Sequence, residues 1–346
     1  GNAKWNFSET FTWSSPGFDL NDMGYMKETD YLMNETEIMY RQTDIWKIFR
    51  YNAFTLSQKN MWNYGGTPFS NNASLRWQSM TMNRYEWDVK ETFAWNWLDS
   101  RLLRGGPDVR FGSYFLTSAK FNTDKAKRMM FMLKYEGDHN FEGNRFNTIS
   151  PSLTFRLGNH VYLSGQLDYA WNTDEMQYVA TTSPLSSSSL APYYYVMGHM
   201  DQKTYGLTLK LQVNVTPDIS IQFYGAPFTS IAKYDDFKLA ADTKSHTFEN
   251  RFQRIDPDQL TYADGVYTIG EGAGQMPFRN PDFRFNEFRS NLVARWEYLP
   301  GSTLYFVWEH RMSNRDNWYS SGWGSNLDRM WGLPATNTFM IKMNYW

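Results

Sequence analysis

Apolar and polar residues alternate with period two along much of the chain, most cleanly in its second half. Tyr205, Leu207, Leu209, Leu211, Val213 and Val215 alternate with Gly206, Thr208, Lys210, Gln212 and Asn214. Val161, Leu163, Gly165, Leu167, Tyr169 and Trp171 do the same against Tyr162, Ser164, Gln166, Asp168 and Ala170. The rows Ile219, Ile221, Phe223, then Leu292, Ala294, Trp296, Tyr298, then Leu304, Phe306, Trp308 repeat the pattern. Successive side chains of an extended strand point to opposite faces, so each segment predicts a β-strand with one apolar and one polar side.

The connections alternate in length. Tight turns are expected at Thr43-Asp44, Asn83-Arg84, Asn122-Thr123-Asp124, Gly158-Asn159, Thr216-Pro217-Asp218 and Pro300-Gly301. Long polar loops are expected at 14–32, 60–72, 98–108, 137–144, 174–192, 236–284 and 312–334. Terse turns on one side and long loops on the other are the wiring of an antiparallel up-and-down transmembrane β-barrel, here of about 14 strands. The expectation is one all-β domain over 1–346 in the outer membrane of a Gram-negative bacterium, with its turns periplasmic and its loops extracellular.

Charge then assigns inside and outside. A Lys210 or Arg295 left in hydrocarbon would cost about 2–4 kcal/mol near the midplane. The polar rows are therefore expected to line the lumen: Lys134, Glu136, Gln166, Asp168, Lys210, Gln212, Asn214, Arg289, Arg295, Glu297, Glu309 and Arg311. Their mixed signs suit an internal ion-pair network that stiffens the wall, or a pore of modest charge selectivity. Tyr169, Trp171, Trp296, Tyr298 and Trp308 fall at the ends of apolar rows, where interfacial aromatic girdles belong.

Two acids break the pattern near the start. Glu9 is in phase with Trp5, Phe7, Phe11 and Trp13, and Glu91 with Phe93, Trp95 and Trp97. A register-shifting bulge near Glu9 is the expectation; the alternative is that this sector meets a protein partner instead of lipid. At the other end Phe339, Ile341, Met343 and Tyr345 share a face while Trp346 falls on the opposite one. Outer-membrane barrels usually close on an aromatic in phase with the apolar row, so at least one further residue is expected after Trp346.

Composition agrees. Aromatic residues make up 18% of the chain, yet mean hydropathy is -0.62 and no run approaches the roughly 18 apolar residues of a spanning helix. Net charge is -2 without a basic cluster, which argues against nucleic acid. The absence of cysteine removes disulfides and thiolate metal sites.

Catalytic motifs are missing: no Gly-x-Ser-x-Gly elbow, no His-Glu-x-x-His and no phosphate-cradling loop. His139, His160, His199, His246 and His310 are scattered without ligand spacing, and Asp256-Pro257-Asp258 with Asp264-Gly265 reads as a solvated turn before it reads as a Ca²⁺ loop. No cofactor, metal or catalytic residue is expected. The 174–192 loop carries Ser183-Pro184, the run Ser186 to Ser189 and Tyr193-Tyr194-Tyr195. Loop 236–284 is long for an unstructured segment, and its Phe248, Phe252, Tyr262, Tyr267 and Phe278 are expected to pack into the barrel mouth.

Several stretches together carry a family likeness: Ser15-Pro16-Gly17-Phe18, Asn21-Asp22-Met23-Gly24, Arg104-Gly105-Gly106-Pro107, Ser150-Pro151-Ser152-Leu153, Gln222 to Phe228, Tyr234 to Phe237, and Asn291-Leu292-Val293 leading through Arg295 to Tyr298, Pro300 to Thr303 and Val307-Trp308. From about residue 12 onward the chain resembles the C-terminal barrel domain of an uncharacterised family of Bacteroidota outer-membrane proteins. In that family the barrel follows a region similar to family-9 carbohydrate-binding modules, which this sequence lacks. The resemblance implies a porin-like, transport-type membrane module linked to glycans through that other region, or a closed-lumen anchor or scaffold for it or for a partner protein. It establishes no catalytic site for the barrel; a barrel-embedded hydrolase is the remote alternative.

Overall fold

The computed structural model describes residues 4–19, 29–95, 97–185, 192–317 and 323–346. The strands are β1 (Trp5–Ser14), β2 (Tyr31–Gln42), β3 (Phe49–Trp62), β4 (Pro68–Thr81), β5 (Glu86–Trp95), β6 (Trp97–Asp99), β7 (Val109–Phe111), β8 (Tyr114–Asn122), β9 (Met129–Asn140) and β10 (Arg145–Leu157). There follow β11 (Val161–Thr182), β12 (Tyr194–Asn214), β13 (Ile219–Ala240), β14 (Phe252–Arg254), β15 (Leu260–Ala263), β16 (Val266–Ile269), β17 (Met276–Arg279), β18 (Phe283–Leu299) and β19 (Ser302–Asp316). Helix α1 (Trp323–Trp331) and β20 (Thr336–Asn344) complete the chain.

One antiparallel meander dominates, running β1-β2-β3-β4-β5-β8-β9-β10-β11-β12-β13-β18-β19-β20, with β14 attached beside β13. Its path has the fourteen strands that the alternation predicts. β1 and β20 are its two edges, and among the described residues no ladder joins them.

The register carries the two-faced pattern across the whole sheet. Directly opposed residues share a face. Trp5 stands opposite Tyr40, and the row continues through Phe54, Trp77, Val89, Ala119, Tyr135, Ile149, Tyr169 and Tyr205. A second row runs Leu163, Leu211, Phe223, Leu292, Trp308 and Phe339. Trp5, Phe7, Leu56, Leu75 and Ile341, all on this apolar face, are more than half exposed.

The packed cores lie elsewhere, at one end of the sheet. β11, β12 and β13 run well past the apolar rows, and the 236–284 segment folds back onto them as 3-10 turns, β14 and the three-stranded sheet β15-β16-β17. Val196, Met200, Ala232, Tyr234, Phe237, Leu239, Ile269 and Phe278 form one apolar cluster; Leu103, Val109, Met176, Met197 and Phe252 form another. Met200 and Tyr234 are opposed and in phase with the polar rows, so this cap rises from the polar side. On the apolar side α1 covers the extended ends of β13, β18 and β19: Met330 is buried, Trp331 lies 4.9 Å from Phe288, and Asn326 faces Arg284.

Four expectations need correction. Loop 60–72 is only a turn at 63–67 between β3 and β4, and loop 137–144 only one at 141–144 between β9 and β10. Asn60, Asn71, Asp138 and Asn140 are paired strand residues whose polarity imitates a loop. Loop 174–192 begins later, because β11 continues to Thr182 through register shifts at Asp174/Gln177 and Tyr178/Ala180. The expected bulge near Glu9 is absent: β1 and β2 pair without a shift from Trp5↔Tyr40 to Ser14↔Tyr31. The run Ser186 to Ser189 and the Asn21 to Gly24 stretch lie outside the described residues.

Four of the expected tight turns, at Asn83-Arg84, Gly158-Asn159, Thr216-Pro217-Asp218 and Pro300-Gly301, occur where expected; at Thr43-Asp44 and Asn122-Thr123-Asp124 the connections are longer, running over 43–48 and 123–128. At the β18–β19 turn Gly301 has φ 81°, in the left-handed region that side chains resist. Gly301→Ala should destabilise the protein by about 1–2 kcal/mol, read as a lower urea-unfolding midpoint; an unchanged midpoint would refute the strain.

Candidate functional site: the polar face and its cap

All twelve residues expected on the polar rows share one face. Lys134 is opposed to Ser150 and Glu136 to Thr148; Gln166 is opposed to Thr208 and Asp168 to Gly206. Lys210 is opposed to Tyr224, Gln212 to Gln222, Asn214 to Ser220 and Ser220 to Arg295. Arg289, Glu309, Arg311 and Glu297 follow in phase on β18 and β19.

Most are tied to neighbours. Lys134 Nζ sits 2.8 Å from Glu136, and Arg295 sits 2.5 Å from Glu297. Glu287 receives both Arg289 and Arg311, at 2.8 and 2.9 Å. Asp168 accepts from Ser150 Oγ at 2.6 Å and Gln166 Nε2 at 2.9 Å. Asn214 donates to the carbonyl of Asn159 and so holds the β10–β11 turn. Lys210 and Gln212 instead line a concavity of about 400 Å³ with Gln222, Tyr224 and Asn291. Partly exposed ion pairs of this kind are each worth roughly 0–1 kcal/mol. Their effect is to leave a wet face with few uncompensated charges.

The cap is held differently. Arg251 is 1% exposed and donates to both Glu142 oxygens at 2.8 and 2.9 Å. It also donates to the carbonyls of Arg110, Ser245 and His246. One side chain thus joins the 236–284 segment, the β6–β7 hairpin and the β9–β10 turn. Gly112 makes the approach possible: its N–H donates to Glu142 at 2.9 Å, and any Cβ there would stand 2.5 Å from Glu142 Cδ. Lys238, also buried, lies 3.5 Å from Asp236 and over the rings of Phe248 and Phe252. Of the five aromatics expected at the mouth, Phe248, Phe252, Tyr267 and Phe278 pack within the two clusters, while Tyr262 is 55% exposed.

Beneath the β6–β7 hairpin, the polar face forms a recess of about 280 Å³. Tyr114, Asp138, Phe146, Asn172 and Asp174 line it from the sheet, and Trp97, Asp99 and Phe111 from the hairpin. A second recess of about 370 Å³ continues it down the face, sharing Asp138 and Phe146 and reaching Lys90 and Glu136. Burial pushes the Asp138 and Asp174 carboxyls above the usual aspartate range. The alternation leaves this place out because 98–108 and 137–144 read as loops; its continuation through Asp138 and Asn140 is the available signal.

Near the recess His199 Nδ1 lies 3.1 Å from Glu175. Burial lowers the imidazole, but the hydrogen bond and charge of Glu175, with Asp201 and Asp235, outweigh it and hold the group above its ordinary range. Of the other histidines, His160 and His246 sit in turns, His139 lies near the end of β9 and His310 is in the middle of β19, paired with Ser290 and Asn337; the described residues contain no group of three or more His, Asp or Glu able to hold a metal. Asp256 and Asp258 flank and enter a 3-10 turn at Pro257–Gln259.

On the apolar face, Glu9 accepts from Asn34 Nδ2 and from Thr36 Oγ1, and Glu91 accepts from Thr117 Oγ1 at 2.7 Å. Local donors therefore replace the bulge that the sequence suggested.

Arg251→Met leaves Glu142 buried without its cation, a loss of about 3–5 kcal/mol. Amide exchange should rise across 236–284 and 97–111 while β8 to β10 stay protected; unchanged exchange in the cap would refute the staple. A pH effect follows as well. His199 has its pKa raised in the folded state, so its contribution is complete below about pH 6.5 and is lost as pH rises through the folded value. Asp174, also raised, acts in the same direction. Proteolysis of the cap should therefore be faster at about pH 8 than at about pH 6, and His199→Gln should flatten the difference.

The chain belongs to a family of unknown function: the family model described as "Domain of unknown function (DUF5916)" matches residues 1–346. No curated protein and no solved structure matches it.

Proposed function

We propose that this member of the family is an outer-membrane barrel of the channel or transport type, with the polar face as its lumen and the 236–284 cap over one mouth. The observation that carries the reading is the apolar face, in phase across the whole meander and exposed along it. On β11 that row extends from Val161 to Trp171 before turning polar at Thr173, which suits the roughly 9–11 residues of a tilted membrane strand. Closure brings together the β1 and β20 edges, directly or through further strands, since unpaired backbone has no place in hydrocarbon. Glu9 and Glu91, with their bound Asn34, Thr36 and Thr117, mark the sector where a protein partner would replace lipid.

The buried Arg251 staple favours a second reading, in which the lumen stays shut and the barrel is an anchor or scaffold. Conductance separates the two: in planar bilayers, deleting 240–280 should open or enlarge a channel under the first reading and do nothing under the second. The membrane assignment itself is tested by two neighbours. Leu209→Arg should destabilise the protein in lipid vesicles by about 2–4 kcal/mol while Thr208→Arg is nearly neutral; equal effects would defeat it.

A further inference from the structure

We infer that the recess under the β6–β7 hairpin is a binding site for an uncharged, polyhydroxylated ring, the chemistry of a sugar unit. It stands apart from the membrane reading, because every group it uses belongs to the β6–β7 hairpin, to β8 to β11 or to the β9–β10 turn, whether or not the sheet closes.

The walls are aromatic. Trp97 and Tyr114 have centroids 6.0 Å apart and planes at 77°, two faces of a corner. Phe146 faces the same space from β10 and keeps 40% of its surface exposed, although its row is polar. None of these three rings belongs to the cap's apolar clusters. Packing therefore does not account for them, and a ring face is the surface on which the C–H side of a sugar lies.

The polar groups are matched in both senses. Asn140 Oδ1 accepts from the N–H groups of Glu142 and Asn144, and Asn144 Oδ1 accepts from Glu175. That leaves both amide Nδ2 groups as donors without a protein partner among the described residues. Asp138 has no hydrogen bond among them either, which makes its carboxylate a free acceptor. Hydroxyl groups donate and accept, so they satisfy such a mixed set. A bare cation would leave the amide donors unpaired, and an anion would meet Asp99, Asp138 and Asp174 against the single cation Arg145, whose place on β10 is in phase with the apolar row. About 280 Å³ equals the space of roughly nine waters at about 30 Å³ each, suited to one ring, and the adjoining recess admits a second.

Calorimetric titration of the folded, detergent-solubilised chain decides it. The probes are maltotriose, cellotriose, mannotriose and chitotriose, with spermidine and inorganic phosphate as charged alternatives. At least one trisaccharide should bind saturably. Trp97→Ala and Asp138→Leu should each weaken it about tenfold or more, whereas Asp138→Asn, which keeps an acceptor and drops the charge, should cost about threefold or less. Far-UV circular dichroism confirms that each variant is folded. Failure of all four sugars, sugar binding indifferent to Trp97→Ala, or spermidine binding abolished by Asp138→Asn would each overturn the assignment. The Leu209 and Thr208 comparison in vesicles is unaffected by any of these results, so the two ideas fail separately.

Discussion

A sheet whose one face is apolar over all its strands has to hide that face, and most of what this chain does follows from how. An ordinary domain packs helices or a second sheet against it. Here the cover is slight: α1 lies over a corner of β13, β18 and β19, and the rest of the face carries Trp5, Phe7, Leu56, Leu75 and Ile341 open. Contiguous apolar surface much beyond a few hundred Å² is rare on proteins that live in water. Strand pairing meets the backbone's hydrogen-bonding needs within the sheet, except at β1 and β20. Both features set this sheet apart from an ordinary layered domain, and neither requires a conventional core.

The cap obeys the opposite rule. Its residues rise past the aromatic end of the apolar rows, and there the chain builds the buried clusters that the sheet itself does without. Fully burying a Leu, Val or Met side chain is worth about 1.5–3 kcal/mol, so Leu103, Val109, Met176 and Met197 supply the cohesion. Arg251 supplies the geometry. A buried guanidinium is costly unless every donor finds an acceptor, and its five acceptors come from segments far apart in sequence. Only one arrangement of the three segments satisfies it.

Period-two alternation makes the two-faced part of the sheet legible from sequence, down to the side on which Lys134, Asp168, Lys210 and Arg295 stand. The same rule failed above the apolar rows. Once both faces of β9, β11 and β12 meet water or protein, polar residues no longer mark a face, and Asp138, Asn140 and Asp174 were read as loop. The recess lies in that blind region. Arg251 was invisible for another reason: Glu142 is 109 residues away, and a single arginine in a polar stretch carries no local sign of burial.

Glu9 shows what the pattern leaves open. Its place on the apolar row argues for a bulge only if the neighbouring strand offers nothing, and Asn34 and Thr36 on β2 offer two donors. These bonds hold its carboxyl as an acceptor pair within the sheet, so the strand stays regular and the register of every later strand is preserved. The polar island continues next door: Thr36 is opposed to Gln58, and Asn34 to Asn60, which is opposed to Asn71, whose Oδ1 is buried without a hydrogen bond. The apolar face is thus interrupted beside an unpaired edge by hydrogen-bonding groups that the alternation alone does not foretell, and the sheet accommodates them by pairing them with one another across β1 and β2.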